Sequence, residues 1–249
     1  MATHVTFSKL PYDYIVPIFL GNSAQKKSYP GLTDQTGANI ADKNHIYSEL
    51  TALYWIWKNT DDDFVGLCHY RRFFDITESE IHRIMSKNQV ILPRVQRLRW
   101  RVDQQFIRVH SQEIWNHVLD ILYRKYPEYI SLGKQIFSDN RLYRYNMFIA
   151  ERTFAENYCS FVFNVLFELE QVLGPLPLDG YQQRYAGFVS ERLLSLYILG
   201  NNIPKVETRI INEVGKDISQ LKWKQIINNL YFRMVIKNGN HETAKHTAS

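Results

Sequence analysis

The residues best suited to chemistry follow directly on an apolar run. Phe64-Val65-Gly66-Leu67-Cys68 leads into His69-Tyr70-Arg71-Arg72-Phe73-Phe74. In an open α/β sheet, ligands sit beyond the carboxyl ends of the strands. A guanidinium fork placed there can hold phosphate oxygens bidentately. His69, Arg71 and Arg72 therefore make a candidate anion site. Neighbouring residues of an extended chain point opposite ways, so Arg71 and Arg72 are not expected to face one ligand together. The same residues equally suit an arginine paired with a carboxylate and a histidine satisfied in the core.

Five other segments carry chemical potential. Asp34-Gln35-Thr36-Gly37-Ala38-Asn39-Ile40 can present amides and a carboxylate to a ligand, or can be an ordinary turn. Glu49 falls in the first turns of the next helix, where the dipole favours a carboxylate whether or not it has a role. Asp61-Asp62-Asp63 has the spacing of a divalent-metal motif. It precedes its strand, however, and so lies at the far end of the sheet from His69; a solvated turn is expected. Glu191 and Arg192, near the start of a helix, read either as a general base with its partner or as a cap and a surface ion pair. Arg94, Arg97, Arg99, Arg101 and Arg108 interleave with Trp100 and Phe106, a pattern that suits phosphates, nucleic acid or a membrane surface. No nucleic-acid motif accompanies it, and a solvated loop is the default.

These groups must be positioned by regular elements. Apolar runs predict strands at 12–20, 64–69, 89–92 and 145–150, and a further strand is expected at 205–208. Helical spacing predicts helices at 44–58, 78–87, 111–125, 128–137, 153–173, 188–199 and 218–236, with Asn44 as an N-cap. The segment 21–44 reads as a long loop and 238–249 as a frayed polar tail. Strands alternating with helices give the α/β class in one domain spanning 1–237.

Composition narrows the function classes. With 249 residues, 45% of them apolar or aromatic, the chain can bury a full core, which excludes disorder. Lys plus Arg number 30 against 25 acids, a net +5 that favours anionic partners without choosing among them. No apolar run is long enough to span a membrane, and the first nine residues lack the apolar region of a secretory signal. Cys68 and Cys159 have no CxxC spacing and read as free, buried thiols of a reducing cytoplasm.

Taken together the segments resemble a glycosyltransferase-like family of bacterial capsular, exopolysaccharide and O-antigen loci, long described as a domain of unknown function. The resemblance rests on Ala2-Thr3-His4, Pro17-Ile18 and Gly21, then Asp34-x-x-Gly37-x-Asn39-Ile40 with Lys43-Asn44. It continues through Glu49-Leu50-Thr51-Ala52-Leu53-Tyr54-Trp55-Ile56-Trp57-Lys58-Asn59 and Val65 to Phe74, Tyr145-Asn146-Met147-Phe148-Ile149, and Gly187-Phe188-x-Ser190-Glu191-Arg192-Leu193. Relatives usually carry Lys where this chain has Val5 and extend several residues upstream. Met1 is therefore expected inside the first strand, with the nucleotide contacts of that strand reduced.

The resemblance implies a GT-A-like, Rossmann-like nucleotide-sugar fold with a helical C-terminal portion. It implies a hexosyltransferase that moves a sugar, galactose or galactofuranose in some relatives, from a uridine diphosphate donor to a lipid-linked surface-polysaccharide acceptor. The place would be the cytoplasm, at the inner face of the plasma membrane. Thr3 and His4 would lie by the nucleotide, Asp34 and Asn39 in the donor-side loop, and His69, Arg71 and Arg72 around the diphosphate. Asn146 would touch sugar or acceptor, and Glu191, with Asp34 as its rival, would be the base. A cationic block standing where GT-A enzymes carry Asp-x-Asp implies transfer without a metal cofactor, a divalent ion such as manganese being the alternative. Two further readings remain: a glycan- or nucleotide-binding module without catalysis, and, less favoured, a nucleic-acid-binding protein.

Overall fold

The structure is a computed structural model that describes residues 1–4, 10–21, 31–178 and 180–212. The chain divides into two compact units, Met1–Ile211 and Asn212–Ser249. The helix expected at 218–236, the tail at 238–249 and the domain limit at 237 lie outside the described residues.

Three short parallel strands, β1 (Ala2–Thr3), β2 (Ile18–Phe19) and β3 (Leu32–Thr33), form a first sheet in the order β1-β2-β3. After them come α1 (Asn44–Tyr47), α2 (Leu50–Asn59), β4 (Phe64–Leu67), β5 (Arg72–Phe74), α3 (Glu78–Met85), β6 (Val90–Pro93) and β7 (Gln96–Arg97). Next are α4 (Val102–Val109), α5 (Gln112–Lys125), α6 (Ile130–Ser138), β8 (Arg141–Leu142), β9 (Phe148–Glu151) and α7 (Arg152–Leu173). The described chain ends with α8 (Gly180–Gln183), α9 (Tyr185–Gly200), β10 (Lys205–Thr208) and β11 (Ile210–Asn212). A second sheet has the order β10-β6-β9-β4, with β9 antiparallel to both neighbours and β10 parallel to β6. Two-stranded pairs, β11 with β5 and β7 with β8, flank it.

The two sheets meet where Ala2 N–H donates to the Cys68 carbonyl at 2.9 Å and Ala2 bridges His69 in parallel. Strand β1 therefore runs beside the end of β4, while β2 and β3 lie on its other side. That reversal of strand order is a topological switch point, where α/β sheets bind ligands. Because β9 runs antiparallel, its first residues also reach this end, Phe148 lying opposite Leu67. The close fit requires a glycine: a Cβ on Gly66 would stand 2.7 Å from the Phe148 carbonyl oxygen.

The core forms where α7 and α9 pack with α2 and α5 against the second sheet. Aromatic residues fill much of it, as in the stack of Trp57 on Phe163. Local signals explain the helix starts. The Thr77 hydroxyl and Glu80 close a capping box on α3, and Ser111 Oγ accepts from Ile114 N–H at 3.0 Å on α5.

Several expectations are corrected. The helix expected at 44–58 breaks at Ser48, whose φ is 52°. Asn44 is then no cap. Its amide donates instead to the Ser48 carbonyl and to Thr51 Oγ1, tying two short helices together. Only Ile18–Phe19 of the segment 12–20 is strand, and the loop 21–44 contains β3. The basic stretch 94–108 is no simple loop: it contains β7 and α4, whose Val102 and Phe106 are fully buried. The arginines around them mask an ordinary i, i+4 apolar pair.

Candidate functional site

At the switch point the chain turns sharply. Arg72 N–H donates to the His69 carbonyl at 3.0 Å and His69 N–H returns a bond to the Arg72 carbonyl at 3.2 Å, leaving Tyr70 and Arg71 at the tip. His69 and Arg72 face the loop before β9: His69 Nε2–H donates to the Tyr145 carbonyl at 2.5 Å, and the Arg72 guanidinium lies 4.0 Å from the Tyr145 ring centre. Arg71 points elsewhere. Its guanidinium packs on Tyr70 and bonds the phenol, and His4 meets Tyr70 edge-on at 4.8 Å. The two adjacent arginines thus diverge.

The loop that receives them is unusual. Tyr145 and Asn146 have φ of 76° and 51°, left-handed values that Asn tolerates and that are costly for Tyr. Four groups hold them there. Glu191 Oε1 accepts from Tyr145 N–H at 2.6 Å; Asn146 Nδ2 donates to Glu49 Oε1 at 2.8 Å and to the Gly187 carbonyl at 3.0 Å; Ser190 Oγ donates to Asn146 Oδ1 at 2.7 Å. Arg144, one residue earlier, places its guanidinium 5.0 Å from the same Tyr145 ring. Arg184 enters from the start of α9, donating to Ser48 Oγ at 2.7 Å.

Electrostatically the region is cationic. Among the described residues no carboxylate lies within ion-pair distance of Arg71, Arg72 or Arg144, and Arg184 reaches only Glu49, at 3.9 Å. Burial pushes the His4 imidazole below its usual value, and the charges of Arg71 and Arg184 push it further the same way. Unpaired guanidinium groups gathered at a ligand-binding end of a sheet suit a polyanion.

Other expected site residues are placed differently. Thr3 is fully buried in β1. Asp34 is also fully buried: Oδ1 accepts from Gly21 N–H at 2.9 Å and Oδ2 from Thr51 Oγ1 at 2.6 Å. Burial raises its pKa, so it is an internal tie rather than a loop residue open to ligand. Asn39 is exposed but turns back, donating to the Gly37 carbonyl and accepting from Ala41 N–H. Asn146 is 1% exposed with its amide fully engaged, because the left-handed backbone turns it inward. Glu191 lies two turns inside α9 rather than at its start, and Arg192, buried beside it, donates to Glu191 Oε2 at 3.3 Å. The pair is internal, not a surface pair.

Three groups escaped the sequence reading: Arg144, Tyr145 and Arg184. Treating 145–150 as one uniform strand hid the first two. The signal available was Arg144-Tyr145-Asn146, a cation and an aromatic before the Asn that most readily adopts left-handed backbone.

No group of three or more His, Cys, Asp or Glu side chains suited to a metal occurs among the described residues. Glu49 and Glu191, the carboxylates bordering the cluster, are engaged as above, and Asp61, Asp62 and Asp63 are exposed beyond the opposite end of β4. Two cavities lie elsewhere. One, of about 710 Å³, is bordered by α1, the end of α7 and the segment 174–178; the other, of about 570 Å³, is bordered by Met1, Val16, Trp55 and Phe148. No described helix is long and apolar enough to cross a membrane.

Comparison with known proteins places this geometry. Residues 1–202 match the family model described as "Domain of unknown function (DUF4422)". No curated protein matches the chain. A solved structure described as the WbbM bifunctional glycosyltransferase, apo form, shares the fold with a TM-score of 0.79 and 24% identity over 86% of this chain. This chain spans 45% of the length of that structure. The expected α/β class therefore holds, in a fold shared with a glycosyltransferase.

Proposed function

The chain belongs to the DUF4422 family, and from that premise we propose that it is a GT-A-like glycosyltransferase using a nucleotide diphosphate-sugar donor. One observation carries the reading: Arg72 and Arg144, with no carboxylate within 4.0 Å among the described residues, gather at the carboxyl ends of β1 and β4, where open α/β sheets bind ligands. In the transfer, an acceptor hydroxyl oxygen bonds to the anomeric carbon as the bond from that carbon to the diphosphate oxygen breaks. The bonding pair stays with the diphosphate, and Arg72, beside the loop that His69 anchors, offsets its growing charge without a metal. The hydroxyl proton passes to a carboxylate.

For that base we favour Glu49. Glu191 has both oxygens engaged, by the Tyr145 amide and by Arg192, and acts as a positioning residue for the left-handed loop. Glu49 keeps Oε2 3.9 Å from Arg184 and without a closer partner among the described residues. Glu49→Gln, which preserves the acceptor for Asn146, should lower kcat about a hundredfold or more with little change in melting temperature. Glu191→Gln should lower melting temperature together with activity. A hexose from a uridine diphosphate donor and a lipid-linked glycan acceptor complete the proposal, with the protein working beside the inner membrane.

The first experiment is thermal shift against a panel of nucleotide sugars, since a ligand of the native state raises the melting point. Transfer is then assayed with and without a chelator. Stabilisation with chelator-resistant transfer supports the reading, while strict manganese dependence removes its metal-free part. The burial of Asp34 and Glu191 favours one rival, a nucleotide-binding module without catalysis. Donor binding with no cleavage or transfer would select it.

A further inference from the structure

Arg72 and Arg144 come from distant parts of the chain and pack on one ring. Their guanidinium carbons lie 4.0 Å and 5.0 Å from the Tyr145 centroid, so they stand no more than about 9 Å apart. Like charges that close repel, and among the described residues no carboxylate lies within 4.0 Å of either guanidinium. The ring they share does not drift. Its residue is fixed through the carbonyl by His69, through the amide by Glu191, and through the phenol, which donates to Gln96 Oε1 at 3.3 Å. Gln96 on β7 also accepts from Arg144 Nη1 at 3.4 Å, so one side chain orients both the ring and the second cation. Arg71 belongs to a different group, with His4 and Tyr70.

We propose that Arg72 and Arg144 are the two jaws of a clamp for a diphosphate, with Tyr145 as the rigid spacer between them and Gln96 setting the aim of Arg144. The clamp rests on the donor reading above and adds to it the group opposing Arg72. The chemistry selects the ligand. Two planar forks held a fixed distance apart match two linked phosphoryl groups better than one, whereas a single phosphate or carboxylate fills one fork and leaves the other unpaired.

The test is calorimetry in metal-free buffer with uridine diphosphate, inorganic pyrophosphate and uridine monophosphate as the probes. Arg144→Gln should weaken uridine diphosphate and pyrophosphate by about tenfold to a hundredfold, the effect of losing charged hydrogen bonds. Uridine monophosphate should weaken only a few-fold. Arg144→Lys keeps the charge and loses the fork, so it should fall between Arg144→Gln and wild type even if Arg144→Gln proves unstable. Gln96→Leu should show a smaller loss of the same pattern. Equal pyrophosphate binding by wild type and both Arg144 variants overturns the clamp, as does equal weakening of all three probes or failure of wild type to bind pyrophosphate. The donor reading fails separately. Arg144-dependent pyrophosphate binding without uridine diphosphate binding upholds the clamp and sinks that reading; uridine diphosphate binding indifferent to Arg144 does the reverse.

Discussion

Among the described residues two aromatic rings each carry two guanidinium groups, and the two settings differ. Arg99 and Arg108 lie 5.0 Å and 5.1 Å from the Trp100 ring, much as Arg72 and Arg144 flank Tyr145. The Trp100 arrangement is local. Its arginines lie within one stretch of sequence, both are exposed, and Arg108 sits in the last turn of α4, where a cation is favoured by the helix dipole. Water solvates such charges, and they ask for no partner. The Tyr145 arrangement joins a strand following a tight turn to a loop far along the chain, and its arginines are half-buried. What separates the two is the backbone beneath: three side chains pin Tyr145 at the carboxyl end of the central sheet. Arginines beside an aromatic ring are a composition; the fixed frame is what the proposed binding surface adds.

The comparison can be broken by substitution. Arg72→Ala should cut the rate of sugar transfer by about a hundredfold to a thousandfold, the range for removing a group that stabilises developing negative charge. Its melting temperature should move by no more than a few degrees, and parallel losses of rate and stability would make the Tyr145 cluster merely structural. Thr51→Val removes the hydroxyl bonded to buried Asp34. It should cost about 1–3 kcal/mol in chemical denaturation while folded protein keeps its donor affinity. His110, packed among Phe106, Phe188 and Tyr181, has its pKa pushed down to about 4 by burial and then by Arg192. A depressed pKa means stability that is complete above the unfolded value of 6.5 and is lost as pH falls through about 4. Melting temperature should therefore decline across that window, and His110→Phe should flatten the decline. The smallest effect belongs to Trp100: Arg99→Ala and Arg108→Ala should each stay within about 0.5 kcal/mol of wild type and leave transfer unaltered.

Much of the scaffold was readable in the chain. Periodic apolar residues marked α5, α7, β4 and β6 because burial on one face, or on both, fixes which residue types those segments can carry. The shortest elements were not readable: β1, β5, β7, β8 and β11 have two or three residues each, too few to show a period. The position of His69, Arg71 and Arg72 after an apolar run marked their place at a strand end. The roles of Asp34, Asn146 and Glu191 did not follow from their types, since a carboxylate bonded to its own backbone and one open to ligand look alike in sequence. Only contacts across long separations tell them apart, such as Glu191 with Tyr145 or Asn146 with Glu49. Arg144 was hidden for the same reason, its significance depending on Arg72.

The left-handed pair Tyr145-Asn146 has one more consequence. Groups of the protein itself hold its strained geometry, Glu49, Gly187, Ser190 and Glu191 together with His69 and Gln96. If the proposed clamp is right, an arriving anion meets a surface already shaped, so capture should proceed at the speed of encounter, and it should slow with added salt as long-range attraction is screened.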